Sequence, residues 1–107
     1  MLDEEILKLA RLEIALDAEP QNYEAMEELW KRSVAACTFV DFTLIRIAKK
    51  ILVGRKYLIA SDNADHLARY RAFAERLGAE VCDHCRHPLF DFDHDLDQIL
   101  ILPQSHH

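Results

Sequence analysis

Glycine and proline are scarce in this chain, at two and three of 107 residues. A turn-rich all-β fold needs more of both, so the composition favours helices joined by few, short connections. No stretch approaches eighteen consecutive apolar residues, so no membrane span is expected. Neither glycine sits in a phosphate-cradling motif, which argues against nucleotide binding. The serines, Ser33, Ser61 and Ser105, lack the local signature of a nucleophile. Three cysteines are an odd number, and Cys37 falls inside a helical pattern. Reduced thiols and a reducing compartment are therefore expected rather than a disulfide framework. The N-terminus reads Met-Leu-Asp-Glu-Glu, with neither the basic nor the apolar region of a signal peptide. The expected location is the cytoplasm.

Half the residues are apolar and 30% are charged, the balance of an ordinary globular domain. At this length the expectation is a single domain, residues 1–107. The net charge of −6 is unevenly spread. Residues 1–30 carry −7, residues 31–56 carry +6, residues 57–78 balance, and residues 79–107 carry −5. An acidic total disfavours nucleic-acid binding, whose affinity comes mainly from neutralising phosphates. A basic or dipolar protein partner suits it better. The terminal Ser105-His106-His107 resembles the end of a purification tag, so its histidines are set aside.

Leu2, Ile6, Leu9, Leu12 and Leu16 recur at helical spacing and predict a first helix over residues 3–17. Asp3, Glu4 and Glu5 suit its N-terminus. A longer seam follows: Tyr23, Met26, Trp30, Ser33, Cys37, Val40, Leu44, Ile47 and Ile51 keep a 3-4 spacing from Pro20 to Val53. It predicts one long helix, ended by Gly54 and antiparallel to the first. Tyr23 and Trp30 lie in this seam and are expected in the core, with interface anchors the alternative reading. The β-branched and aromatic residues Thr38 to Thr43 mark where such a helix would kink or break. Its second half is apolar on a wide arc and carries a basic cluster. Phe39, Phe42, Ile45, Arg46, Lys49 and Lys50 are therefore the candidate partner-binding residues.

After Gly54 the period shortens. Tyr57-Leu58-Ile59-Ala60 reads as a strand, and Ser61-Asp62 caps a third helix whose inner face is Leu67, Tyr70, Phe73, Ala74 and Leu77. Gly78 ends that helix. Residues 79–83 form a second strand, which should follow the first in a right-handed parallel crossover. Ile99 to Leu102, stopped by Pro103, has the unbroken apolar character of a central strand buried on both faces.

Chemistry concentrates in residues 82–97. Cys82 and Cys85 have C-x2-C spacing, in which two thiolates on a tight turn reach one tetrahedral zinc. His87 and His94 would complete the set, with His84 an alternative to His87. A C-x2-C pair followed by Asp93-His94-Asp95 is similar to the start of an HNH-type endonuclease hairpin. That resemblance covers about fifteen residues. It implies His94 as general base and Asp93 as ligand of a divalent ion. The family's following helix is missing, because Leu96 to Gln104 reads as a strand. Cys82-Asp83-His84-Cys85 also resembles the C-x-H-C motif of thioredoxin-like oxidoreductases, where a helix N-terminus lowers the first thiol's pKa. Here Pro88 follows within three residues. The alternate aspartates at 91, 93, 95 and 97 lack the glycine and closing glutamate of a calcium loop. The plainest reading is a solvated loop after a strand that buries two small cysteines.

The sequence thus predicts an α+β fold. An N-terminal helical hairpin with one long helix (1–53) packs on a small three-stranded βαββ sheet (54–105). The expected function is that of a small acidic protein-interaction module, an inhibitor, adaptor or immunity-type regulator that binds a partner protein and self-associates. No catalytic residue is assigned and no cofactor is required. The alternative is a zinc protein centred on Cys82, Cys85, His87 and His94, structural or HNH-like.

Overall fold

A computed structural model of the chain describes residues 2–36, 41–83 and 96–103. The fold is α+β. Its elements in order are α1 (Leu2–Ala18), α2 (Tyr23–Ala36), α3 (Phe42–Leu52), β1 (Tyr57–Ser61), α4 (Ala64–Arg76), β2 (Glu80–Cys82) and β3 (Asp97–Leu102). The chain divides into two compact units, residues 1–49 and 50–107, with the boundary inside α3.

In the first unit, α1 opens with Asp3, Glu4 and Glu5 and buries Ile6, Leu9 and Ala10. Its chain turns at Glu19, whose amide donates to the Ala15 carbonyl at 2.9 Å. Pro20 lies in this turn, ahead of the next helix. Asn22 starts that helix: its Oδ1 accepts from the Ala25 amide at 3.1 Å, satisfying a donor that has no partner within the helix. The two helices pack on each other. Arg32, near the end of α2, reaches both carboxylate oxygens of Glu5, near the start of α1, at 3.2 and 3.3 Å. Only an antiparallel arrangement permits that contact.

The single long helix expected over residues 20–53 is instead two helices. Asp41 accounts for the second start. Its Oδ1 accepts from the Thr43 amide at 2.9 Å, and its carbonyl accepts from the Leu44 amide at 2.9 Å. A residue that caps a new helix is not part of an older one. The break falls where the β-branched and aromatic stretch lies, and residues 37–40 are outside the described residues. Within α3, Leu44, Ile45, Ile47 and Ala48 are buried. Lys49 ties α3 to the end of α1, 3.2 Å from Asp17 and 3.8 Å from Glu13.

In the second unit the sheet order is β1-β3-β2, and β3 is antiparallel to both neighbours. Ile59 stands opposite Ile99, and Val81 opposite Ile101. β1 and β2 therefore run in the same direction with β3 between them. Ile99, Leu100 and Ile101 are all buried, so both faces of this central strand are covered. α4 packs on all three strands and buries Leu67, Tyr70, Phe73 and Ala74. α3 and α4 end alike. Gly54 and Gly78 adopt φ of +73° and +85°, and the following amides, of Arg55 and Ala79, bond back to Lys50 and Ala74 at 2.8 and 3.0 Å. This left-handed cap needs glycine.

The cap of α4 is Asn63, not Asp62. Asn63 Oδ1 accepts from the amides of Asp65 at 3.0 Å and His66 at 3.2 Å, while Ser61 Oγ accepts from the Asn63 amide at 3.0 Å. Either side chain can cap a helix, and the backbone of Asn63, at φ −110°, has the extended geometry the role requires. Asn63→Ala is expected to cost about 1 kcal/mol and to lower the thermal midpoint by roughly 4–8 °C. Asp62→Ala should change it little. Equal effects from the two substitutions in circular-dichroism melts would argue against this assignment.

Candidate functional site

The outer face of α2 is the most open apolar surface on any of the described helices. At 3.6 residues per turn, Tyr23, Met26, Trp30 and Val34 fall within about 80° of arc. They are 73, 45, 67 and 55% exposed. Glu24, Glu27 and Lys31 flank this ridge on one side, with Lys31 Nζ 3.1 Å from Glu27 Oε1. The opposite side of α2 holds the less exposed Ala25, Leu29 and Arg32 and the buried Ala36. That side carries the Arg32–Glu5 contact and so faces α1.

This corrects the expectation that Tyr23 and Trp30 are core residues. The 3-4 seam runs through Leu44 and Ile47, which are buried, and backwards through Trp30 and Tyr23, which are not. The break between α2 and α3 explains the difference. Asp41 starts a new helix, so helical phase does not carry from α3 back to α2, and two unrelated faces were joined by a spacing that happened to continue. The ridge has its own signal in the sequence. Glu24, Glu27 and Lys31 lie beside it, and a solvated flank is where such a run belongs.

The expected partner-binding residues that are described differ in exposure. Phe42 and Arg46 are exposed one turn apart, whereas Ile45 is buried. Lys49 is held by Asp17 and Glu13. Lys50 lies over the Tyr57 ring, 5.9 Å from its centre. Phe39 is outside the described residues.

Of the expected zinc ligands, Cys82 ends β2 and is disulfide-bonded. Free thiols were expected. The other two cysteines, Cys37 and Cys85, lie outside the described residues, as do His87 and His94. Among the described residues no three His, Cys, Asp or Glu side chains are grouped to hold a metal. β3 occupies the place where the HNH-type pattern has a helix.

Two concave sites lie among the described residues. Between α4 and β3 lies a cavity of about 260 Å³ bordered by Arg71, Asp83, Asp97 and Gln98. Its cation is engaged, 2.5 Å from Asp83 and 3.6 Å from Glu75. A groove of about 370 Å³ runs along α1 and α2, lined by Lys8, Arg11, Leu12, Glu28 and Arg32. Glu28 Oε1 accepts from Arg32 Nε at 2.6 Å. The hydrogen bonds that Arg32 donates to Glu28 and then to Glu5 raise the pKa of its guanidinium, so it is a fixed cation with its charge matched. Neither site sets a nucleophile beside a base.

No family model, curated protein or solved structure matches the chain. Fold and surface alone define its class: an α+β protein that presents an aromatic helix ridge. No helix among the described residues is long and apolar enough to cross a membrane.

Proposed function

We propose that this protein is a small acidic interaction module, an inhibitor, adaptor or immunity-type regulator, that binds a protein partner through the outer face of α2. The exposure of Tyr23 and Trp30 on one ridge carries this reading. Tryptophan and tyrosine are the residues most enriched at the energetic centres of interfaces, because each covers a large area with few rotatable bonds. A ridge of this kind on a helix whose other side is packed is the pattern of helix-in-groove recognition. The charge of −6 overall, and −7 over residues 1–30, suits a basic or dipolar partner.

Copurification from the native cells tests it. Wild-type chain should retain a protein in near-stoichiometric amount, and Trp30→Ala should lose it without a change in melting temperature. Equal retention by both chains would overturn the assignment of the surface.

A further inference from the structure

We propose that the occupant of the α2 ridge is a second copy of this chain, with the two α2 helices packed antiparallel. The inference rests on reading that face as an interface, and it names the partner.

The charges beside the ridge select the arrangement. Glu27 and Lys31 lie on the same flank, one turn apart. In a parallel two-fold pair this flank would face the opposite flank of the second copy, where Met26 and Ser33 lie, and its charges would meet no opposite charge. In an antiparallel pair centred near Leu29, each Glu27 lies beside Lys31 of the second copy, and the contact is made twice by symmetry. Flanking charges choose partner and orientation in this way in packed helix pairs. The same two-fold sets the Tyr23 ring of each copy against the small Val34–Ala35 end of the other, a large side chain facing small ones.

The size of the ridge sets the strength. Its aromatic rings are two-thirds or more exposed. With aromatic side chains of about 150–250 Å² each, the four residues offer roughly 400–500 Å². A standard interface uses about 800 Å² per partner. Glu24, Glu27, Lys31 and Ala35 must therefore join the contact, and the pair belongs to the class that dissociates on dilution.

Sedimentation velocity on the full chain, over a roughly hundredfold concentration range, reads this by mass action. Wild type should pass from monomer to dimer. Glu27→Lys and Lys31→Glu should each weaken the dimer by roughly 3- to 10-fold, since each reversal spoils two partly exposed ion pairs. The double reversal should return the constant to within about twofold of wild type, because the pairs reform with signs exchanged. Trp30→Ala should leave monomer throughout. A wild type that stays monomeric at every concentration overturns the self-pairing, as does a double reversal no better than the single ones. If that monomer still captures a different protein through Trp30, the α2 face remains an interface and only the named occupant is wrong. If capture is also indifferent to Trp30→Ala, both readings fall.

Discussion

Phe73→Ala is expected to destabilise the protein by about 3–5 kcal/mol, the range for removing a buried aromatic ring. Phe73 is fully buried on α4, the helix that packs on all three strands of the second unit. The strands that α4 packs on are held in a hydrogen-bonded ladder, which limits how far the structure can close on the space the ring leaves. The substitution therefore loses both the transfer free energy and the contacts across the cavity it leaves. Against a typical total of about 5–15 kcal/mol, that loss removes much of the stability. Urea unfolding followed by circular dichroism would measure it. A cost below about 1 kcal/mol would show that α4 is not closely packed on the sheet.

Trp30→Ala is expected to do the reverse. It should leave the unfolding free energy within about 0.5 kcal/mol of wild type, since the indole is two-thirds exposed. Binding should weaken by 2 kcal/mol or more, about 30-fold or more in dissociation constant. The two substitutions remove rings of comparable size from helices of similar length and differ only in what the ring touches in the free protein. Isothermal titration with the captured partner, beside an unfolding curve for each variant, separates them. If Trp30→Ala proved as destabilising as Phe73→Ala, Trp30 would be a core residue and the ridge would not exist.

The second unit was legible in the sequence nearly residue by residue. A four-residue apolar run, a capped helix ended by glycine and a run stopped by proline are local signals, and β1, α4 and β3 fall on them. The cap was displaced by one position because Asp62 and Asn63 have equal chemical claims, and only the backbone angle at Asn63 decides between them. The first unit was less legible. Its long seam keeps a helical spacing past Asp41, whose side chain starts a new helix, and a spacing pattern alone does not show a cap. That continuity hid the ridge, because Tyr23 and Trp30 inherited burial from Leu44 and Ile47. The state of Cys82 was not legible either. An odd number of cysteines argues against a disulfide framework but does not forbid one bond.

Trp30 is the only tryptophan in the chain, so its fluorescence reports on the α2 ridge alone. The most direct measurement is collisional quenching of that emission by acrylamide, first in dilute protein and then in concentrated protein or with the captured partner. The indole should be freely quenched when the chain is dilute, and shielded, with emission shifted to the blue, once the ridge is covered. An indole already shielded in the dilute monomer would contradict this, because the ridge would then belong to the core.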